Sequence, residues 1–380
     1  MKQKIGITCY PTVGGSGVVA TELGKLLAER GHEVHFISTS LPFRLNKTYS
    51  NIYYHEVEVN QYEVFQYPPY SLTLASKMAE VIKREKLDIM HVHYAVPHAV
   101  CALLAKDMVD HDVKVVTTLH GTDITVLGHD PSLRDIIRYA IERSDKVTAV
   151  SKALATQTVD MLQTERPIEA VYNFIDERVY RPQMSDEDLR ESFEIPKENK
   201  VIIHISNFRP VKRVLDVVNA FAGINKETPA TLLMIGDGPE KQLACQRAEE
   251  LGIEDRVLFV GNQNHVVDFL NISDLMLLLS EKESFGLSAL EAMACGVPVI
   301  GTDAGGIPEV IVHNQTGYIC EIGDTEGAGK AGAYLLKNPG LYQSFSEAAK
   351  KRIKDVFSSA NIVKQYESIY DDAREGGDLN

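Results

Sequence analysis

Short β-branched apolar runs alternate with stretches of helical periodicity along the first half of the chain. Residues 4–9 form the first run, 18–30 carry a helix-like pattern and 33–39 form a second run, the order of a βαβ unit. Strand-like segments follow at 88–93, 113–119 and 146–150, with helix-like stretches at 71–86, 132–143 and 154–163. Strands alternating with helices predict a parallel, doubly wound sheet. The alternation breaks at 172–176 and through the polar, proline-punctuated stretch 181–199, then restarts at 201–205. Apolar runs at 232–235, 257–260, 275–279 and 297–300, each followed by a glycine-bearing turn, predict a second doubly wound sheet. Residues 359–374 read as an amphipathic helix and 376–380 as a frayed polar stub.

The expected fold is therefore α/β, two Rossmann-like doubly wound domains facing a cleft, with ligands at the carboxyl ends of the strands. Three candidate loops fall at such ends. The first, residues 11–17, holds Gly14, Gly15, Ser16 and Gly17 between a strand and a helix. It either lets backbone approach a phosphate or sugar, or is merely a tight turn. Its spacing is not Gly-x-Gly-x-x-Gly, which argues against a nicotinamide site. The second loop, residues 206–213, places Arg209, Lys212 and Arg213 within five positions. Arg209 can offer a bidentate fork, and Lys212 a point charge, to a diphosphate. The third, residues 283–293, carries Glu283 and Glu291. A helix starting near Gly286 would leave the N–H groups of Phe285, Gly286 and Leu287 free for phosphate oxygens.

Composition narrows the partners. At 380 residues the chain holds about two domains, and 44% apolar with 24% charged residues is ordinary globular composition. A formal charge of −14 disfavours nucleic acid and anionic membranes, so an anionic substrate must meet locally concentrated cations. No apolar run approaches the roughly 20 residues of a membrane helix. No signal-peptide pattern precedes the first strand, so a cytoplasmic protein is expected. The five cysteines are odd in number and scattered, which fits reduced thiols. His91 and His93 share one strand face, but two histidines without a third ligand do not make a metal site. No metal and no cofactor is expected.

Glu283-x7-Glu291, then Ala-Met-Ala-Cys-Gly-Val-Pro-Val-Ile at 292–300 and Gly-Gly-Ile-Pro-Glu at 305–309, with Arg209 and Lys212 upstream, resembles retaining glycosyltransferase family 4. The resemblance covers nearly the whole chain. It implies a GT-B fold: an acceptor-binding domain at 1–172, a nucleotide-sugar domain at 173–358, and a helix at 359–380 crossing back to the first. It further implies catalytic roles for His120, Arg209, Lys212 and Glu283. Arg209 and Lys212 would hold the diphosphate, Glu291 the ribose and Glu283 the transferred sugar, with Gly15, Ser16, Phe285, Gly286 and Leu287 also at the donor. The loop 261–266 would border the base. Over its whole length the chain also resembles family members of bacillithiol biosynthesis. That similarity implies UDP-N-acetylglucosamine as donor and L-malate as acceptor, the latter held by Ser16, Tyr94, Thr118 and Arg138. Arg138 reads equally well as a solvated helix charge.

No pair of carboxylates suggests a covalent double displacement. The resemblance implies front-face attack, with the departing phosphate taking the acceptor's proton. Three rivals remain: the same donor with another small anion such as an inositol phosphate, a nucleotide-sugar epimerase, and a noncatalytic nucleotide-binding scaffold. A homo-oligomer is compatible with the sequence.

Overall fold

The computed structural model describes residues 2–11, 14–45, 47–184 and 186–376. Thr12 and Val13 of the first candidate loop, and 377–380 of the polar stub, lie outside the described residues. Contacts divide the chain into two compact units, residues 1–173 with 359–380, and residues 174–358.

The first unit is built on seven parallel strands: β1 (Lys4–Thr8), β2 (Glu33–Ser38), β3 (Ile52–Glu56), β4 (Ile89–His93), β5 (Lys114–Leu119), β6 (Lys146–Ala149) and β7 (Ile168–Ala170), in the order β3-β2-β1-β4-β5-β6-β7. Ile5 sits between Val34 and Ile89 in the register, and the strand order reverses at β1/β4. β4 and β5 are buried at every position, as near-continuous apolar runs require when helices cover both faces. The helix Ser359–Glu375 packs on this unit through Ile362, Val363, Tyr366, Ile369, Tyr370 and Ala373, a stripe at helical spacing. Glu367 receives both Arg30 and His32 at its edge.

The second unit has six parallel strands: β8 (Lys200–Ile205), β9 (Ala230–Ile235), β10 (Val257–Gly261), β11 (Leu275–Leu278), β12 (Val299–Thr302) and β13 (Gly317–Cys320), ordered β10-β9-β8-β11-β12-β13. The order reverses at β8/β11. On one face the helices Val214–Glu227 and Thr325–Lys337 meet at Gly329, where an added Cβ would lie 3.0 Å from the Ala220 carbonyl oxygen. All five cysteines are unpaired. Among the described residues no helix is long and apolar enough to cross a membrane.

Strands β3, β7 and β13 were not anticipated from the pattern. Each is an edge strand or next to one, short, and only partly buried, so alternation is the only signal and three to five residues carry too little of it.

Candidate active site

In the second unit, the loop leaving β8 is fixed by a buried histidine. His204 donates from Nδ1 to the Leu277 carbonyl at 2.8 Å, and its Nε2 meets the Ser206 hydroxyl at 2.7 Å. Burial pushes the His204 pKa down to about 4, so the ring is neutral and Nε2 accepts from Ser206. Phe208 is fully buried against His204 and Phe259 despite a φ of 39°. Anchored there, the chain turns outward at Arg209, which is exposed and has no ion-pair partner among the described residues.

The three cations of this loop have separate fates. Arg209 is free. Lys212 is largely buried and binds Glu283 Oε2 at 2.5 Å. Arg213 is engaged by Asp216 at 2.5 Å and by Glu281 at 3.6 Å, so its charge serves the loop itself. The Glu281 N–H donates to the Val211 carbonyl at 2.8 Å, tying the segment after β11 to the segment after β8. An ammonium has three donors, so Lys212 keeps two beyond the Glu283 bond.

Glu283 is held from behind by Gly305 and Gly306. The Gly306 N–H donates to the Glu283 carbonyl at 2.9 Å, and a Cβ at Gly305, whose φ is 52°, would lie 2.0 Å from that oxygen. Gly286, with φ of 99°, precedes the helix Leu287–Ala294. The N–H groups of Gly286, Leu287 and Ser288 have no acceptor among the described residues. They form an electropositive helix start beside the Lys212–Glu283 pair. Phe285 turns its ring inward onto Phe357, leaving only backbone to face a ligand. Glu291 is 6% exposed, one turn into the same helix. The loop after β10 is mostly exposed, and the Gly261 carbonyl is bonded to the Gly236 N–H.

In the first unit the switch point is occupied by a cluster of histidines and hydroxyls. Tyr94 directly follows β4 with φ of 89°, a conformation costing about 1–3 kcal/mol for a non-glycine residue. Its N–H bonds the Thr118 carbonyl at 2.9 Å, and the next N–H, of Ala95, donates to Asp123 at 3.1 Å. The Tyr94 hydroxyl lies 2.8 Å from Ser16 Oγ, at the start of the helix Gly15–Glu29. Two of the expected acceptor residues are thereby brought together, 78 positions apart in sequence. His120, just after β5, lies tilted against the Tyr94 ring and meets His93 Nδ1 through its Nε2 at 2.7 Å. Burial, with His98 nearby, drives the His120 pKa down to about 3. Burial raises that of Asp123 to about 6, although it accepts N–H bonds from Ala95 and Gly121.

The side chains of two expected acceptor residues do not join the Ser16–Tyr94 pair. Thr118 is fully buried, and its hydroxyl is taken up by His91 Nε2 and Thr148 Oγ1, each at 2.7 Å, beneath Tyr366. It presents no open face to a ligand, because the helix Ser359–Glu375 covers that side of β5. Arg138 is on the exposed face of the helix Pro131–Arg143, paired with Glu142 at 2.7 Å, and among the described residues no bond links it to Ser16 or Tyr94. His91, one of the two histidines considered as ligands, has both nitrogens engaged, by Thr118 and by Tyr370.

The sequence reading did not include His98, Asp123, Tyr366 or Tyr370, whose roles come from tertiary neighbours rather than spacing. Nor did it include His35, His55 and Glu85, the tight grouping of metal-capable side chains among the described residues. There the Arg84 guanidinium already bonds both His55 and Glu85, supplying the positive charge a cation would bring.

Residues 185–352 match the model for glycosyl transferases group 1, and residues 13–179 the model for glycosyltransferase family 4. The N-acetyl-alpha-D-glucosaminyl L-malate synthase of Bacillus anthracis is 62% identical over 372 residues, 98% of this chain and 97% of that protein. An uncharacterized glycosyltransferase of Methanocaldococcus jannaschii is 27% identical, with 96% and 97% covered. Among solved structures, a glycosyltransferase from Rickettsia africae superposes with a TM-score of 0.82 at 24% identity, covering 98% of both chains. Anabaena HepE in complex with UDP and glucose also gives 0.82, at 21% identity, covering 97% of this chain and 99% of that one. At such identities these two structures establish the fold alone.

Proposed function

The chain belongs to family 4 of the glycosyltransferases, and from that premise we propose that it transfers N-acetylglucosamine from UDP-N-acetylglucosamine to the hydroxyl of L-malate. The product is N-acetyl-alpha-D-glucosaminyl L-malate, the first intermediate of bacillithiol biosynthesis, formed in the cytoplasm. The observation that carries this reading is the 62% identity to the Bacillus anthracis synthase across 98% of the chain.

The arrangement around β8 and β11 supports a donor site of this chemistry. In the proposed reaction the malate hydroxyl oxygen bonds to the anomeric carbon on the face from which UDP leaves. The bond from that carbon to the β-phosphate oxygen breaks, and the hydroxyl proton passes to the departing phosphate. No protein carboxylate acts as nucleophile. The protein's contribution is to stabilise charge as it gathers on the diphosphate. The unpaired Arg209 guanidinium, the two remaining donors of Lys212 and the N–H groups of Gly286, Leu287 and Ser288 are the groups for that task. Glu283 accepts from hydroxyls of the transferred sugar while holding Lys212, and Glu291 accepts from the ribose. Gly15 stands with Ser16 at the helix start. Ser16 and Tyr94 receive the acceptor, and the family resemblance assigns His120 to the transferred sugar. Thr118 acts through His91 and the strand rather than by contact, and Arg138 is left out of the site.

Incubation with UDP-N-acetylglucosamine and a panel of hydroxy acids and inositol phosphates tests the reading. UDP release that depends on L-malate, with the glycoside formed in equal amount, is expected. Epimerised donor in the absence of acceptor, or release only with a different acceptor, would overturn it.

A further inference from the structure

The His93–His120 pair carries a further inference. His93 is fully buried on β4, between the rings of His91 at 4.6 Å and His120 at 5.0 Å, and its carbonyl accepts from His98 Nδ1 at 2.6 Å. One of its nitrogens, Nδ1, lies 2.7 Å from His120 Nε2. The other, Nε2, is buried without any hydrogen-bond partner. His120 Nδ1 is bonded to no described residue and is not among the buried unpaired atoms, so it is the nitrogen that faces outward.

A 2.7 Å contact between two imidazole nitrogens needs one proton between them, and burial keeps both rings neutral at neutral pH. Two arrangements satisfy this. If His120 Nε2–H donates, His93 must carry its proton on Nε2, where a buried N–H points at nothing. If His93 Nδ1–H donates, its Nε2 keeps a bare lone pair, and the proton of His120 moves to the outward Nδ1. Orphaned buried N–H groups are rarer than underused acceptors, so the second arrangement prevails.

We propose that His93 is a positioning residue that locks His120 in the Nδ1–H tautomer, making its outward nitrogen a hydrogen-bond donor to a substrate oxygen and not a base. The substrate named here rests on the glycosyltransferase reading; the tautomer does not. A neutral donor at this place suits a site in which the leaving phosphate takes the proton, since a second base would compete for it.

The test uses the full chain labelled with 15N-histidine, the His120 signals being assigned by their loss in His120→Gln. In the ligand-free protein the His120 Nδ1 should show the protonated shift and Nε2 the unprotonated one. His93→Leu removes the donor and should release the lock, so that the two His120 nitrogen shifts move toward each other as both tautomers become populated. It should lower kcat by about tenfold to a hundredfold while KM for the sugar nucleotide moves less than about threefold. His93→Asn, whose amide can donate from near the same point, should keep the Nδ1–H signature and recover kcat to within about threefold. An Nε2–H signature in the unmodified protein overturns the proposal, even if no variant folds. Equal kcat in the Leu and Asn variants overturns it as well. If the unmodified protein transfers no sugar yet shows Nδ1–H, the tautomer stands and the glycosyltransferase reading falls.

Discussion

Lowering the pH from 7 to 5 should destabilise the first unit more than the second. The cause is the buried imidazole cluster at the end of β4. Burial pushes His91 down to about 3 and His98 to about 4, below the ordinary 6.5. A depressed folded pKa gives stability that is present above the unfolded pKa and is lost as pH falls toward the folded value. Between pH 7 and 5 each of these two rings then costs about 1.9 kcal/mol, because the unfolded chain binds a proton that the native state refuses. Asp123 works the other way. Its folded pKa, raised to about 6 by burial, means the native state takes up a proton in the same window and regains about 1.3 kcal/mol. The balance is a loss of about 2.5 kcal/mol, growing to about 6 if His93 and His120, both also lowered, contribute equally. The second unit has His204 alone, lowered to about 4, and should lose about 2 kcal/mol. Urea unfolding at the two pH values, followed by hydrogen exchange read peptide by peptide, measures both. Protection in β4 and β5 should fall further than in β8 and β11. Equal stability of residues 1–173 at pH 7 and pH 5 would refute the reasoning, because it would mean that the rings are hydrated or protonated in the native state.

Four further outcomes are expected. Lys212→Ala should lower kcat about a hundredfold, roughly 3 kcal/mol of barrier, with an unchanged circular dichroism spectrum; wild-type turnover would remove Lys212 from the mechanism. Gly305→Ala pushes a methyl group to 2.0 Å from the Glu283 carbonyl at a positive φ, so it should both destabilise the second unit by at least about 1 kcal/mol in urea titrations and depress kcat. Deleting residues from Ser359 onward removes five large apolar side chains from the first unit, about 10 kcal/mol of burial and close to a domain's whole stability. The truncated chain should show no cooperative melting of residues 1–173. Tyr94→Phe leaves Ser16 without its partner at 2.8 Å and should raise KM for malate by about tenfold while sparing KM for the sugar nucleotide, in initial-rate measurements with each substrate varied.

Much of this fold was legible because buried parallel strands are written as continuous apolar runs. Residues 275–279 are apolar throughout, and 88–93 and 113–119 are apolar runs interrupted by histidine, lysine or threonine; β11, β4 and β5 stand there. The edge strands were not legible, since Ile52–Glu56 carries tyrosine, histidine and glutamate without alternation and is nowhere fully buried. The cationic loop was found from its place after the first strand of the second half. Its division into a free guanidinium, a lysine paired to Glu283 and an arginine held by Asp216 was not, because carboxylates up to 71 positions away decide it. Thr118 shows the same limit in reverse. The family similarity implied contact with the acceptor, but strand alternation turns its hydroxyl toward the face that Tyr366 and Tyr370 cover. Those tyrosines come from the far end of the chain, where only an amphipathic pattern was visible.

The account depends on a phosphate leaving group stabilised by fixed side-chain and backbone charge, with the new bond formed on the face the old one vacates. Proton NMR of the product made from UDP-N-acetylglucosamine and L-malate in chelator-treated buffer addresses both at once. The account predicts a single glycoside in the α configuration, formed at the same rate with and without chelator. A β-linked product, free N-acetylglucosamine alone, or a reaction that stops until a divalent ion is returned would contradict it.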